Sequence, residues 1–441
     1  MAFSDSQRHT RNLNALLKVS KALASEIRLD DLLQVIVEKA AEVMDADRAT
    51  LFLYDESRNE LWSKTTHRLE VKEIRLPLGV GIAGHVAKTR TAINIPDTYA
   101  DARFDPDFDK ETGYRTRSIL CLPLIGNGDR LIGVIQVLNK KDQEVFNEAD
   151  ESLLGGLSDH ITVALERARL IEAYVEKERM EEALKLAHDI QMSMLPKIFP
   201  PFPERHEFDI FAAIAPAKEV GGDLYDFFFI DDDHLCFAIG DVSGKGVPAS
   251  LFMALTKTLF KATAGNGGTP GEILARSNAE ICRDNESCMF VTLFCAILNI
   301  RTGQVDYSNG GHNLPYYLHH SGVSPLENPG GRALGVVEQS PYISGRMVLS
   351  PGEALLLYTD GVTEAMDSRD RLYSDQRLEQ FLASNRDSSP RQIIGDLVSD
   401  VRHFAGGAPQ SDDITVLALL YFGTTKKMGE EPEIKLSNKL A

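Results

Sequence analysis

Hydrophobic and polar positions in the first part of the chain follow a helical period and then change to a strand pattern. Apolar residues recur every three or four positions in LNALLKVSKALASE and LDDLLQVIVEKAAEVM, which predicts two helices within residues 10–44. Shorter apolar runs follow and are typical of strands: RATLFLYD, NELWSKTT, KEIRLPL, SILCLPLI and RLIGVIQVLNK. Between them, GVGIAGHVAKTR predicts a glycine-rich turn that opens a short helix. Together these elements predict an α+β module.

Residues 149–195 predict one long helix that ends at Pro196. Its apolar stripe keeps heptad-like spacing through Leu154, Leu157, Ile161, Ala164, Ala168, Ile171 and Val175. The phase then breaks at polar Glu178, and the stripe resumes at Met180, Leu184, Ala187, Ile190 and Met194. We expect the first two turns to pack on the preceding module. Beyond Ile161 we expect a coiled-coil homodimer, with a phase break that can hold two alternative packings.

The following region alternates strand-like and helix-like segments. Strands are predicted for FDIFAAIAP, HLCFAIGD, FVTLFCAILNI, QVDYSNG, EALLLYTD and DITVLALLYF, and helices for residues 249–264, 270–284, 375–384 and 390–404. The sequence thus divides into four parts: a module at 11–160, a linker helix at 161–200, a strand-rich domain at 205–422 and a polar tail at 423–441 that we expect to be disordered.

Composition narrows the class of protein. With 441 residues, 43% hydrophobic and 25% charged, the chain is a globular protein of more than one domain, and the absence of a run of 18 apolar residues argues against a transmembrane helix. The start, MAFSDSQRHTRNLN, lacks the apolar core of a signal peptide, so a cytoplasmic location is expected. Five cysteines without a CxxC pair favour reduced thiols over disulfides or a zinc site. A net charge of −18 without a long basic cluster argues against nucleic acid and anionic membranes as partners.

Carboxylates stand where apolar strands begin or end in the region 205–422. Asp223 follows a Gly–Gly turn in EVGGDLYD, Asp241 and Asp360 end the strands HLCFAIGD and EALLLYTD, and Asp412–Asp413 precede DITVLALLYF. A buried carboxylate is costly unless it is paired, and no arginine or lysine occupies an equivalent strand-end position, so a shared cation is expected. Oxygen ligands select Mg²⁺ or Mn²⁺ over zinc, and two such ions about 4 Å apart can activate a bridging water for displacement at phosphorus. For one aspartate alone, a turn or cap would be the better interpretation.

The segments EVGGDLYD, GDVSGKG, YTDGVTEA and SDDITV, preceded by AHDIQMSMLP, resemble the SpoIIE/RsbU branch of the metal-dependent (2C-type) protein phosphatases over residues 183–422. The resemblance implies an α-β-β-α sandwich with two Mn²⁺ or Mg²⁺ ions at one edge. By position, Asp241 would bridge both ions, with the carbonyl of Val242 as a further ligand. Asp360 and Asp412 would bind the first ion, with Asp413 as an alternative to Asp412. Asp223 would contact the second, directly or through water.

The same resemblance implies hydrolysis of phosphoserine or phosphothreonine on a protein, usually a small anti-sigma-factor antagonist. Members of the human type carry an arginine for the substrate phosphate, and Lys218 is only a weak substitute for it. His312, in NGGHNLP, is a candidate general acid, with a structural turn histidine as the favoured alternative. The competing interpretation is a scaffold that binds a phosphoprotein without turnover, with the N-terminal module serving for dimerisation. The intact acidic positions argue against it.

The N-terminal module resembles a GAF domain of the cyclic-nucleotide phosphodiesterase type over residues 11–165. The resemblance is carried by GIAGHVAKTRTAINIPDTYADARF, TGYRTRSILCLPL and GVIQVLNK. Asn139, Lys140, Phe146, Asp150 and Glu151 reproduce the family's NKFDE signature. The resemblance implies an α/β/α sheet domain in which a Lys–Asp pair behind the pocket holds the fold.

By position, the ligand of such a module would be cAMP or cGMP. The resemblance implies that the amides of Ile82 and Ala83 contact the phosphate, that Trp62 stacks on the base, and that base and ribose are lined by Asp109, Thr112, Thr116 and Gln136. Asp105 stands where we would align a lid aromatic, so another small molecule or a ligand-free dimerisation module remain alternatives. We expect the ligand to bias the packing of the long helix and thereby the metal centre, in a direction that the sequence leaves open.

Overall fold

The computed structural model describes residues 14, 16–26, 28–63, 74–283, 285–424 and 434–435, without the side chains of residues 108, 111, 112, 143, 434 and 435. The chain forms two compact units, Met1–Met180 and Glu181–Ala441. Within the described residues, no helix has both the length and the apolar character needed to cross a membrane.

The first unit is built on one antiparallel sheet. Among its described residues, six strands lie in the order β3-β2-β1-β6-β5-β4. Their bounds are β1 Ala46–Asp55, β2 Glu60–Ser63, β3 Ile74–Pro77, β4 Ile93–Ile95, β5 Ile119–Gly126 and β6 Arg130–Lys140. The helices are α1 Leu29–Val43, α2 Gly81–Thr89, α3 Asp107–Thr112 and α4 Glu148–Met194, and residues 16–25 are also helical. This is the α/β/α sheet domain that the sequence predicts.

The two faces of this sheet support different cores, because successive side chains of a strand point to opposite faces. Leu51 and Leu53 of β1 face the helical core formed by α1 and the start of α4. Phe52, between them, belongs to a smaller core with Ile82 and Val86 of α2. The face of Phe52 is the one that encloses a cavity.

Helix α4 confirms the predicted long helix but changes the prediction for its apolar stripe. Ala164, Leu165 and Ala168 are buried in the first unit's own core, and Arg167 donates to the carbonyl oxygens of Ala24 and Glu26 at 2.9 and 2.7 Å. The predicted dimer seam is therefore wrong as far as Ala168, because residues 16–26 supply an intramolecular partner that the stripe alone does not reveal.

The second unit contains two five-stranded antiparallel sheets among its described residues, in the orders β15-β12-β11-β10-β9 and β14-β13-β16-β17-β8. The strands of the first sheet are β9 Leu224–Phe229, β10 His234–Val242, β11 Val291–Asn299, β12 Gln304–Gly310 and β15 Gly345–Val348. Those of the second are β8 Phe208–Ala215, β13 Tyr316–His319, β14 Gly322–Pro325, β16 Ala354–Tyr358 and β17 Ile414–Tyr421. One continuous apolar core joins the two sheets.

Helices cover the outer faces of these sheets. The helices are α5 Val247–Gly265, α6 Pro270–Arg283, α7 Asp375–Asn385 and α8 Pro390–Ala405, each close to its predicted bounds. Helices α5 and α6 pack on the first sheet, and α8 packs on the second. The result is the predicted α-β-β-α sandwich.

A short strand pair lies outside the two sheets. β7 Ile198–Phe199 pairs with β18 Ile434–Lys435. That pairing falls within the tail that we expected to be disordered. Residues 425–433 and 436–441 of the tail lie outside the described residues.

Candidate metal centre and sensor cavity

The acidic segments of the second unit meet at one edge of the sandwich. Gly240 of β10 pairs with Leu224 of β9, so Asp241 and Asp223 lie at the same end of the first sheet. Tyr358 of β16 pairs with Val416 of β17. Asp360, just after β16, and Asp412–Asp413, just before β17, therefore lie at one end of the second sheet. Four segments distant in sequence thus deliver carboxylates to one place.

Asp223 lies deepest in this cluster. Its side chain is buried, and its Oδ2 accepts hydrogen bonds from the hydroxyls of Thr359, at 2.8 Å, and Thr415. Burial raises the pKa of Asp223 well above its usual range, and the charges of Asp241 and Asp413 add to this effect. The two threonines fix the carboxylate but bring no positive charge.

Asp241 and Asp360 carry the same electrostatic signature. Burial raises the pKa of Asp241 to about 7, and the charge of Asp360 is the next largest cause. Burial also raises the pKa of Asp360, with Glu364 and Asp412 as further causes. Mutual repulsion of this kind marks an excess of negative charge that a cation would relieve.

The two neighbouring aspartates before β17 have different partners. Asp413 is buried, and its carboxylate accepts the amides of Ala217 and Gly222, both at 2.8 Å. Asp412 is more exposed and pairs through Oδ2 with Lys245 Nζ at 2.8 Å. Asp413 therefore holds the loop that leads to Asp223, which leaves Asp412 as the better candidate for binding a cation.

Two glycines allow these loops to approach so closely. A Cβ on Gly221 would lie 2.0 Å from Asp413 Oδ2, and a Cβ on Gly361 would lie 1.9 Å from the carbonyl oxygen of Asp413. Only a residue without a side chain fits at either position. The Gly–Gly and Asp–Gly pairs of the sequence motifs are thus explained by packing around Asp413.

Lys245 is a residue of this site that the sequence analysis missed. It follows Asp241 in the glycine-rich loop, and its Nζ donates to the carbonyl oxygen of Ser411 at 2.6 Å as well as pairing with Asp412. No arginine or lysine stands at an equivalent strand end, as the sequence analysis states, but Lys245 pairs with Asp412 from a loop. Lys245 reaches the cluster from a loop and not from a strand end, and its signal in the sequence is a lone basic residue within GDVSGKG.

The donor set fits hard cations, although the side chains are not arranged around one. In the described part of the chain, no three His, Cys, Asp or Glu side chains are placed to hold a metal ion. All the converging donors are nevertheless oxygens, and the carbonyl oxygen of Val242 lies beside Gly222 at the same edge. Asp226 provides a contrast, since this buried carboxylate is neutralised by Lys257. The cluster at Asp241 lacks a comparable buried partner among the described residues.

His312 is held as a structural residue. It is buried, with Nε2 3.1 Å from the carbonyl oxygen of Tyr358 and Nδ1 2.9 Å from the hydroxyl of Thr292. Burial lowers the pKa of His312 to about 4. A histidine with both nitrogens engaged and neutral at pH 7 is not a general acid, so the structure supports the alternative of a turn histidine.

The C-terminal turns of α4 contact the loop before Asp223. Gln191 is buried, donates to the carbonyl oxygen of Gly221 at 2.6 Å and accepts the amide of the same residue at 3.2 Å. His188 Nδ1 lies 2.6 Å from the carbonyl oxygen of Glu219. This end of the linker helix therefore fixes the backbone on which Asp223 depends.

The first unit contains a cavity of about 330 Å³ on the α2 face of its sheet. Five of the predicted ligand residues line it: Ile82, Ala83, Asp109, Thr116 and Gln136. Trp62 does not, because its side chain packs with the helical core while neighbouring Leu61 faces the cavity side. The prediction that Trp62 stacks on the ligand is therefore wrong, because its side chain lies on the opposite face of the sheet from the cavity. The side chain of Thr112 lies outside the described residues.

Asp109 is hydrogen-bonded within the wall of the cavity. Its carboxylate accepts the amide and the hydroxyl of Thr116, both at 2.7 Å, and the hydroxyl of Tyr99 at 3.0 Å. Asp105, where a lid aromatic was sought, also lines the cavity, next to aromatic Phe104. Asp109 thus orients Thr116, and Phe104 supplies an aromatic surface one residue from the expected position.

Arg48 is a cavity residue that sequence reasoning missed. Its guanidinium lies 3.7 Å from the centre of the Tyr114 ring, and both residues line the cavity. Nothing in the strand pattern of RATLFLYD distinguishes this arginine from a surface residue. It gives the cavity a cationic group next to an aromatic one.

The NKFDE residues stabilise the wall of the cavity from outside it, as the resemblance to GAF domains implies. Lys140 and Asp150 form a largely buried ion pair at 2.6 Å. Asn139 donates to Tyr114 Oη at 2.8 Å and accepts the amide of Arg117 at 2.6 Å, and Glu151 accepts from Asn94 at 2.8 Å. None of the five signature residues lines the cavity.

Comparisons with known proteins find two families along the chain. Residues 231–421 match the family described as Stage II sporulation protein E (SpoIIE), and residues 28–165 match the GAF domain. Protein IcfG of Synechocystis sp. is 30% identical over 264 residues, which cover 54% of this chain and 41% of IcfG. The dual 3',5'-cyclic-AMP and -GMP phosphodiesterase 11 of Drosophila melanogaster is 34% identical over 192 residues, which cover 40% of this chain and 13% of that protein.

The chain spans less than half the length of these two curated relatives. Among solved structures, the SiaA-PP2C domain of Pseudomonas aeruginosa is similar with a TM-score of 0.49 and 22% identity, covering 56% of this chain and 98% of that domain. The two family matches lie on the two structural units that carry the cavity and the acidic cluster. The chain therefore carries a GAF domain within residues 28–165, followed by a SpoIIE-type domain within residues 231–421.

Proposed function

We propose that this protein is a serine/threonine protein phosphatase that uses two Mn²⁺ or Mg²⁺ ions. The observation that carries the proposal is the convergence of Asp223, Asp241, Asp360 and Asp412 from both sheets on one edge of the sandwich. The ions, when bound, would supply an activated water and would polarise the phosphoryl oxygens. The match to the SpoIIE family supports the same chemistry.

Each carboxylate has a role in this proposal. Asp241 stands between the other acidic residues, and we assign it to both ions, with the carbonyl of Val242 as a further ligand. Asp360 and Asp412 are assigned to the first ion, and Asp223 to the second. Asp413 is assigned to holding the loop, because its oxygens already accept the amides of Ala217 and Gly222.

The first prediction tests this centre directly. Asp241→Asn and Asp360→Asn should each lower manganese-dependent hydrolysis of p-nitrophenyl phosphate by at least about 100-fold, because each removes a charged ligand. Mn²⁺ binding followed by calorimetry should weaken in parallel. Asp306→Asn is the matched control, since Asp306 pairs with Arg346 on the first sheet.

Retention of activity by both variants would refute the proposed centre. Binding of a phosphoprotein by the wild-type chain without any turnover would instead support the scaffold interpretation. As substrate we propose the phosphorylated form of a small anti-sigma-factor antagonist, on the strength of the SpoIIE match. Release of phosphate from such proteins, compared with unrelated phosphoproteins, tests that choice.

We further propose that the GAF cavity binds cAMP or cGMP and regulates the phosphatase. The support is the cavity itself, with the first-turn amides of α2 at Ile82 and Ala83 available to a phosphate and Phe104 and Tyr114 available to a base. The phosphodiesterase relatives point to the same class of ligand. Helix α4 continues from the GAF unit to Gln191, which holds the loop of Asp223, and provides a route for the signal.

A homodimer through α4 is also part of this proposal. Its seam would lie on a face of α4 other than the one buried in the first unit's core, where Val163, Leu170 and Tyr174 are 66%, 71% and 60% exposed and recur at seven- and four-residue spacing. The second prediction is that Leu170→Glu shifts the protein towards monomer in sedimentation velocity, because it places a charge in the apolar seam. Glu172→Gln, on another face, should leave the distribution unchanged; a wild-type monomer would contradict the seam.

A further inference from the structure

Lys245 connects the glycine-rich loop after β10 with the segment before β17. Its Nζ lies 2.8 Å from Asp412 Oδ2 and 2.6 Å from the carbonyl oxygen of Ser411. The side chain is 43% exposed, so the ammonium lies at the mouth of the acidic cluster and not in its interior. The flanking Gly244 and Gly246 have φ angles of 87° and 79°, and a Cβ on either would meet no neighbouring atom within 4 Å.

Asp412 has a protein partner on each oxygen. Oδ2 pairs with Lys245, and Oδ1 accepts the amide of Asp413 at 2.9 Å. Under the proposed function, Asp412 is a metal ligand. The bond from a backbone amide can persist when a carboxylate binds a cation through its other oxygen. The ammonium on Oδ2, however, competes with any cation for the same atom.

We propose that Lys245 exchanges partners and provides the phosphate-binding group of this enzyme. With no metal bound, the Lys245 ammonium pairs with Asp412 Oδ2. When Asp412 binds a metal ion, the ammonium is released and binds an oxygen of the substrate phosphate. The inference rests on the proposed function, and it assigns to this chain the cationic residue for which the sequence offered only Lys218.

The chemistry of the side chain suits both positions. A lysine ammonium is a compact charge on a flexible four-carbon stem, so it can change partners without movement of the backbone. Lysine binds phosphate as a point charge, and a phosphate between metal ions and an ammonium is neutralised from two sides. A pair as exposed as Lys245–Asp412 contributes little stability by itself, so its loss costs little when the ammonium is released.

The experiment compares Lys245→Met with the wild-type chain of 441 residues. Calorimetric titration with Mn²⁺ should show binding about three- to fivefold tighter in Lys245→Met, because the competing ammonium is absent. Inhibition of the manganese-loaded enzyme by inorganic phosphate should weaken roughly tenfold, and the KM for p-nitrophenyl phosphate should rise more than kcat falls. Lys245→Arg should restore much of the phosphate binding.

Lys261→Met is the matched control, since it also removes one exposed lysine from this unit while Asp226 keeps Lys257. If Lys261→Met changes Mn²⁺ affinity as much as Lys245→Met does, the effect is one of net charge and the proposal is wrong. It is also wrong if Lys245→Met binds Mn²⁺ no more tightly than the wild type or keeps its phosphate inhibition. Failure of the wild type to bind Mn²⁺ would instead overturn the proposed function, and this inference with it.

Discussion

At the scale of single residues, His312 shows how burial decides a role that residue type leaves open. An unfolded chain protonates this histidine near pH 6.5, whereas burial lowers its pKa to about 4 in the folded protein. Between these values the unfolded state binds more protons than the folded state. The contribution of His312 to stability is therefore complete above about pH 6.5 and is lost as the pH falls towards 4.

The third prediction follows from this sign. Unfolding by urea, measured from pH 7 to pH 4 in the presence of a chelator, should show that the wild type loses up to about 3 kcal/mol more than His312→Gln over the same range. Exposed His206→Gln is the control and should follow the wild type. Parallel curves for the wild type and His312→Gln would show that folding does not lower the pKa of His312.

The charged residues of the two sites were predictable from the sequence to different degrees. Asp223, Asp241 and Asp360 were found from sequence because each follows an apolar strand or a glycine turn, and strand ends of a sandwich meet at its edges. Asp412 was preferred to Asp413 from the resemblance, but an exchange of their roles stayed open, because their difference lies in which backbone amides bond to each carboxylate. Lys245 and Arg48 were missed since a long flexible side chain can reach a site from a position that no pattern marks.

At the scale of elements, α4 shows what periodicity does and does not specify. The apolar spacing predicted one helix over 149–195, and the structure has Glu148–Met194. The same spacing could not say whether the partner is a second copy or the protein's own N-terminal helices. Arg167 and its bonds to the carbonyl oxygens of Ala24 and Glu26 decide that question, and they join residues more than 140 positions apart.

The fourth prediction concerns the other end of α4. Gln191→Ala removes both hydrogen bonds to Gly221, so the loop before Asp223 should become less ordered. We expect a loss of about 1–3 kcal/mol in the stability of the second unit, since a buried backbone carbonyl is left unpaired. Mn²⁺ affinity measured by calorimetry should fall by roughly tenfold in parallel. Lys185→Ala, at an exposed position of the same helix, is the control. If the wild type, Gln191→Ala and Lys185→Ala bind Mn²⁺ with equal affinity, α4 does not influence the metal centre.

At the scale of the whole molecule, the chain consists of two compact units with separate apolar cores. Each unit also has its own proposed ligand, a cyclic nucleotide in the first and metal ions in the second. A ligand that binds only the folded form stabilises the unit to which it binds, by about 2.7 kcal/mol at 100 times its dissociation constant. Scanning calorimetry can therefore assign ligands to units without an activity assay.

The fifth prediction is that thermal unfolding of the full chain shows two transitions with different ligand responses. Mn²⁺ should raise the midpoint of the transition of the second unit, and Asp241→Asn should abolish that increase. Either cAMP or cGMP should raise the other, because it stabilises the walls around the 330 Å³ cavity. If α4 carries a signal between the units, the nucleotide should also change the Mn²⁺ response, and Gln191→Ala should reduce that change. Insensitivity of both transitions to cAMP and cGMP would remove the cyclic nucleotide from the proposal while leaving the phosphatase intact.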